Sequence, residues 1–254
     1  MALPLPAARE GRVVRARTRL ADGGRTTVYV AAYATARTEV RVSVLRGPQR
    51  LETWCNARDV REAIVGGFFV RPGGTPLGEL RTRGVRRVHV PFAAPWDALR
   101  ACVHVQGGEI LIVPRDELPD EPRGDLLQAG PLLVRSGEPC FDREEDAEGF
   151  SSASHQFDSD ITDGRHPRAA LGLAPDRIYA VACDGRARDE AGLDLDELAQ
   201  LLVALGCHTA LNLDGGGSTS LVSDGRLCNR PRAGVDRPEP GGRAVSSALV
   251  FLPR

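Results

Sequence analysis

Ala210-Leu211-Asn212-Leu213-Asp214-Gly215-Gly216-Gly217-Ser218-Thr219-Ser220 is the stretch on which this chain turns. An apolar run ends on a carboxylate, and three glycines and three hydroxyls follow at once. A short apolar run bounded by breakers reads as a buried strand, with the glycines as the turn at its end. Without Cβ atoms that turn can adopt positive φ and let a ligand approach bare backbone. Successive N–H groups in such a turn can form an anion-binding concavity. A carboxylate beside an anion cradle opposes simple anion binding, because the charges repel. It makes sense where the carboxylate does chemistry next to a bound phosphate or sugar. The plain alternative is a tight turn capped by Ser218.

Moving upstream, residues 178–184 form a second apolar run, ending in Asp184-Gly185-Arg186. Between the two runs, Leu195, Leu198, Leu201, Leu202 and Leu205 fall on one face of a helix expected over residues 194–205. Asp194 or Asp196 can cap it, and Gly206 stands where a helix stops. Strand, helix, strand is a plausible crossover unit. With parallel strands, Asp184 and Asp214 both emerge at carboxyl ends, where ligands gather. Adjacent strands lie about 4.8 Å apart, so the two carboxylates could sit roughly 5–10 Å from each other. That range brackets the separations of glycosidase carboxylates, about 5–5.5 Å for retention and about 6.5–9.5 Å for inversion. The expectation fails if a third strand intervenes or the pair is antiparallel. Arg168, stiffened by Pro167 before it, could offer a bidentate fork to phosphate, or be a surface arginine. His166 reads as a general acid or as a loop histidine.

The first half is strand-rich. Residues 27–33, 39–45, 85–91, 109–113 and 132–135 carry β patterns, 68–70 follows a glycine pair, and residues 56–65 suggest a short helix. Residues 142–163 turn acidic and polar and read as a long solvated loop; Asp158, Asp160 and Asp163 only faintly resemble a calcium loop. Residues 245–252 form a closing strand. The expected fold class is α+β: a single domain over residues 1–254, with a mixed twisted β-sheet core and flanking helices.

Composition narrows the function. The 254 residues carry a formal net charge of −1, which argues against nucleic acid as a partner. All 33 basic side chains other than histidine are arginine, so each arginine needs its own argument for phosphate binding. No run reaches membrane-spanning or signal-peptide length, and the chain reads as cytoplasmic with no membrane partner. Six scattered cysteines lack zinc spacing and read as reduced thiols. Nothing in the sequence sets a metal requirement or an oligomeric state, and no cofactor is expected.

Several blocks together resemble the phosphodiester glycosidase family: Gly66-Gly67-Phe68-Phe69, Ala129-Gly130-Pro131-Leu132-Leu133-Val134, His166-Pro167-Arg168-Ala169-Ala170-Leu171-Gly172, Val181-Ala182-Cys183-Asp184-Gly185-Arg186, Leu205-Gly206 with Ala210 to Ser218, and Arg243-Ala244-Val245-Ser246-Ser247-Ala248-Leu249. Their order and approximate spacing agree over most of the chain. Val65, Ala169, Gly242 and Ser247 stand where the family usually has Asn, Thr, Glu and Asn. These departures suggest altered hydrogen bonds to substrate.

The resemblance implies hydrolysis of the glycosidic C1–O bond of a sugar-1-phosphodiester, N-acetylglucosamine-like or related, releasing free sugar and a phosphate monoester. On it, Asp214 faces C1 as base or nucleophile, and Asp184 is the second carboxylate or a sugar-hydroxyl ligand. Arg168 and the amides of residues 215–218 hold phosphate, and Ser218 orients substrate. Asn212, Gly215, Gly216, Gly217, Thr219, His166, Gly67, Phe68 and Arg243 are the substrate-binding candidates. The alternatives are a non-catalytic sugar-phosphate binding module, or a phosphodiesterase attacking at phosphorus.

Overall fold

Along the strand Arg25–Ala34, Val28, Val30 and Ala32 pack into one core and Tyr29, Ala31 and Tyr33 into another. That is the period of two expected of an extended chain. Both sets are buried, so the sheet they belong to is covered on both faces. The computed structural model, which describes residues 13–151 and 161–254, shows what covers it. The central sheet has seven strands, in spatial order Val14–Arg19, Arg25–Ala34, Arg177–Cys183, Arg168–Leu173, Thr209–Asn212, Leu132–Arg135 and Glu138–Pro139. One face packs on the helix Leu195–Ala204 through Leu198, Leu201 and Leu202. The other shares a core, including Leu171, Ile64, Val103 and Leu249, with two five-stranded sheets. One of those pairs Thr38–Gln49 and Ala63–Val65 with Val245–Pro253; the other is built around Ala101–Gln106 and Asp125–Gln128.

The helix forms as its pattern predicts. The Asp194 side chain accepts a hydrogen bond from Glu197 N (2.8 Å), and Glu197 Oε2 accepts one from Asp194 N (3.1 Å). This reciprocal capping satisfies two otherwise orphaned amides. Gly206, at φ +82°, ends the helix.

The sheet departs from expectation in one way that matters. Among the described residues every ladder between strands is antiparallel, so the sheet is not mixed. The strand–helix–strand unit exists, and its two strands run the same way. Arg168–Leu173 lies between them, antiparallel to both. Continuous apolar runs signal burial on two faces, and in this chain that burial comes from covering layers rather than from parallel neighbours. The described residues are β-dominated, with 45% strand and 12% helix, so α+β holds only in a coarse sense.

Other boundaries also shift. The helix expected over residues 56–65 is Leu51–Asn56, burying Leu51, Trp54 and Cys55, and Ala63–Val65 is an interior strand. Residues 85–91 contribute only Val85–Arg86 as strand. Val14–Arg19, Ala101–Gln106 and Asp125–Gln128 are strands the pattern did not reveal. The acidic stretch is not simply solvated, because Phe150 within it is fully buried. Asp158 and Asp160 lie outside the described residues, and Asp163 is exposed and pairs with Arg143. All six cysteines are free, four of them buried. Among the described residues no three His, Cys, Asp or Glu side chains cluster as a metal site, and no helix is long and apolar enough to cross a membrane.

Candidate active site

The glycine-rich turn sits where the central sheet meets a neighbouring sheet. Asp214 N donates to Gly66 O (3.0 Å), and Gly66 N donates to Ser247 O (2.9 Å). Gly67 N donates to the Ser247 hydroxyl (3.2 Å). These bonds stitch the end of Thr209–Asn212 to Ala63–Val65 and Val245–Pro253. At this seam a cleft of about 350 Å³ opens, lined by Phe68, Arg71, His166, Arg168, Arg186, Asn212, Asp214, Gly215, Gly216 and Arg243 among others.

Asp214 is the one carboxylate on the cleft wall among the described residues. It is enclosed by protein yet partly open to the cleft. Desolvation pushes its pKa up to about 6, against the opposing pull of Ser218, Arg243, Gly215 N and Arg71. The Ser218 hydroxyl lies close enough to act on this carboxyl, but its Oγ makes no hydrogen bond of normal geometry. A carboxylate poised near neutrality suits a general base.

Two of the three glycines make room for arginines, and the first, Gly215, makes room for the Pro167 carbonyl. Gly216 has φ +60°, and a Cβ there would stand 2.9 Å from Arg186 Nη1. A Cβ on Gly217 would stand 2.9 Å from Arg243 Nη2. Arg186 Nη1 also donates to Ala233 O (3.1 Å) and Arg232 O (3.4 Å). Burial, then the neighbouring Arg243 charge, lowers the Arg186 pKa. Two like charges held side by side over bare backbone are chemically suited to an anion.

The amide cradle expected at residues 215–218 is corrected at two of its four donors, Gly216 and Ser218. Gly216 N donates to Pro167 O (2.8 Å), Ser218 N to Gly215 O (3.1 Å) and Thr219 N to Gly216 O (3.2 Å). The Gly216 donor is spent on the segment before Arg168, and the Ser218 and Thr219 donors on closing a single 3-10 turn, Gly216–Ser218. Arg168 is corrected likewise. It reaches the cleft wall but is buried, and its guanidinium grips carbonyls: Nε to Leu193 O (3.1 Å), Nη1 to Ile161 O (2.9 Å) and Nη2 to Gly164 O (3.0 Å). It clamps the end of the acidic loop against the site rather than presenting a fork.

Asn212 and His166 carry unused polar atoms. Asn212 Nδ2 donates to Gly130 O (2.8 Å), which leaves the buried Oδ1 without a partner, as an acceptor. His166 Nδ1 is also buried and unpartnered. Desolvation, then Arg168 and Arg186, pushes its pKa down to about 4. The ring is neutral at pH 7, so it holds no imidazolium proton to give as a general acid.

Asp184 does not join the cleft. Its Oδ2 accepts from the Tyr29 hydroxyl (3.0 Å) and its Oδ1 from Arg230 N (2.6 Å). Burial raises its pKa. With Arg168–Leu173 intervening, its strand stands two spacings from that of Asp214, about 9.6 Å. Asp184 buttresses the chain leading to Ala233, which lines the cleft. Ser218, Thr219, Gly217 and Gly67 lie behind the wall rather than on it, Ser218 and Thr219 being wholly buried. Val65, Ala169 and Ser247 are also buried away from the cleft, and Gly242 packs near Ser220. At these four positions this chain presents no side chain to the cleft wall. The sequence reading missed Arg71 and Arg186. Arg186 followed Asp184-Gly185 in plain view, but only the antiparallel return brings it over Gly216.

Comparison with known proteins identifies the family and the fold. A family model described as phosphodiester glycosidase matches residues 58–252. Human N-acetylglucosamine-1-phosphodiester alpha-N-acetylglucosaminidase is 26% identical over 189 residues, covering 71% of this chain and 35% of that protein. An uncharacterized SPbeta prophage-derived protein, YomE of Bacillus subtilis, is 32% identical over 74 residues, 29% of this chain and 12% of that one. The chain thus spans about a third or less of these curated relatives. Among solved structures, the zebrafish N-acetylglucosamine-1-phosphodiester alpha-N-acetylglucosaminidase catalytic domain, auto-inhibited by its pro-peptide, superposes with a TM-score of 0.71 at 18% identity, covering 100% of this chain and 87% of that one. A hypothetical protein from Synechocystis gives 0.65 at 19% identity, covering 95% and 62%. Likenesses at this identity speak to the fold.

Proposed function

The chain belongs to the phosphodiester glycosidase family, and from that premise we propose that it hydrolyses the C1–O bond of a sugar-1-phosphodiester, releasing the free sugar and a phosphate monoester. One observation carries the reading: a desolvated carboxylate, Asp214, faces the same cleft as the Arg186–Arg243 pair. Water attacks C1 and gives a proton to Asp214. The C1–O electron pair leaves with the phosphate. A phosphate monoester departs without the protonation an alcohol needs, so a second carboxylate acting as acid is unnecessary. Arg186 and Arg243 neutralise the charge that collects on it, and such stabilisation is worth most in a water-poor site. The Asn212 Oδ1 accepts a hydrogen bond from a sugar hydroxyl or amide N–H.

The test is turnover of N-acetylglucosamine-1-phosphodiesters by the whole chain, following free sugar and phosphate monoester together. The two should appear in equal amounts, and Asp214→Asn should abolish both while leaving sugar phosphate binding nearly intact. Binding without turnover by the unaltered protein would favour a sugar-phosphate binding module.

A further inference from the structure

Arg100 is a fully buried cation far from the glycine turn in sequence. Its guanidinium carbon lies 4.1 Å from the Phe92 ring centroid and 4.2 Å from that of Phe150. Nε donates to Glu148 O (2.7 Å), and Nη2 donates to Gly149 O. The Glu148 carboxylate in turn accepts from Ala101 N (3.0 Å) and Leu132 N (2.7 Å). Residues 148–150 are thus locked from both sides, and the product of that locking is the placement of Phe150. A cation held between two aromatic faces and bonded to two carbonyls is costly to displace.

Phe150 touches two groups that shape the cleft. Its ring packs against Phe68, with centroids 5.8 Å apart, and Phe68 lines the cleft. It also lies flush on Gly130, where a Cβ would come within 2.7 Å of the ring. Gly130 O is the acceptor that orients the Asn212 amide, and Gly130 N donates to Asn212 O (3.0 Å). A continuous packed path therefore runs from Arg100 through Phe150 to Phe68 on one branch and to Asn212 on the other. The arginine pair is seated on Gly216 and Gly217 and makes no contact in this path.

We infer that Arg100 is a positioning residue for the sugar end of the cleft: through Phe150 it fixes the Phe68 wall and the direction of the Asn212 acceptor, and it leaves the phosphate end alone. The assignment of the two ends rests on the function proposed above. The path itself rests only on the packing.

The experiment measures binding of N-acetylglucosamine and, separately, of inorganic phosphate to the full chain and to Phe150→Leu, Arg100→Met and Arg100→Lys, with the Asn212 side-chain amide followed by NMR. Phe150→Leu keeps the buried charge and shortens only the ring. It should weaken N-acetylglucosamine about tenfold, the scale of one hydrogen bond and a lost ring contact. Phosphate should stay within about twofold by the same reckoning, because its arginines are untouched. The Asn212 amide resonance should shift. Arg100→Met should reproduce this selective loss, and Arg100→Lys, keeping the charge and one donor, should recover part of it. Equal weakening of both probes, or no change in either, overturns the inference. If the unaltered protein binds neither probe, the function proposed above fails, and an unmoved Asn212 amide in Phe150→Leu then overturns the positioning path separately.

Discussion

Gly217→Ala adds one methyl group behind the cleft and tests what the glycine turn is for. The new Cβ would stand 2.9 Å from Arg243 Nη2, 3.2 Å from Arg243 Cζ and 3.3 Å from the Ala233 Cα. Carbon contacts are comfortable at about 3.5–4.0 Å, so something must yield by roughly 0.5–1 Å. The flexible guanidinium yields before the Ala233 backbone does. Gly217 does not have positive φ, so the substitution adds no backbone strain. A hydrogen bond to a charged group is worth about 1.5–3 kcal/mol. Removing the guanidinium with Arg243→Gln should therefore cost about 10- to 150-fold in kcat/KM on a sugar-1-phosphodiester. Displacing it should cost a part of that, about 1 kcal/mol or fivefold, mostly in KM, with Tm within about 2 °C. In an Arg243→Gln background the same alanine should cost less than about twofold, because the two closest contacts are gone and only the 3.3 Å approach to the Ala233 Cα remains. Equal fivefold losses in both backgrounds would show that Gly217 acts through its own backbone and not as a seat for Arg243.

Three further outcomes follow from the site and its supports. Asp214→Asn should raise stability at pH 8 but not at pH 4: burial lifts the native pKa to about 6 from an ordinary 3.8, so the ionised carboxylate destabilises the fold above pH 6, by about 2–3 kcal/mol, and not below pH 4. Thermal unfolding at the two pH values checks this, and turnover by the unaltered protein should fall as pH drops through about 6. Asp184→Asn can keep both of its hydrogen bonds, accepting from Arg230 N and donating to the Tyr29 hydroxyl, so activity should stay within about fivefold. A loss beyond a hundredfold would return Asp184 to the chemistry. Asp194→Ala removes the helix cap and should cost about 1 kcal/mol, seen as a Tm lower by about 2–4 °C.

What the sequence made legible was local. The helix over residues 194–205 announced its cap, its apolar stripe and its glycine stop, and it forms with those features. The Asp214 turn announced a carboxylate and a need for bare backbone, and both stand at the cleft. Arg243, His166, Asn212 and Phe68 were carried by family-like blocks and line the same cleft. What was not legible was pairing. Nothing in Ile178 to Cys183 distinguishes a strand with parallel neighbours from an antiparallel one covered on both faces, so Asp184 was placed beside Asp214. The roles of Arg168 and the turn amides failed for a related reason. Which carbonyl a donor meets depends on segments distant in sequence, such as Leu193 for Arg168 and Pro167 for Gly216. The family departures at Val65 and Ala169 looked like substrate contacts for the same want of three-dimensional placement.

The central claim is that the bond broken is C1–O, with Asp214 acting on water at carbon. Hydrolysis of a sugar-1-phosphodiester in oxygen-18 water measures this directly. The label should enter the released sugar, with none in the phosphate monoester. Label in the phosphate would mean attack at phosphorus, and would contradict that claim.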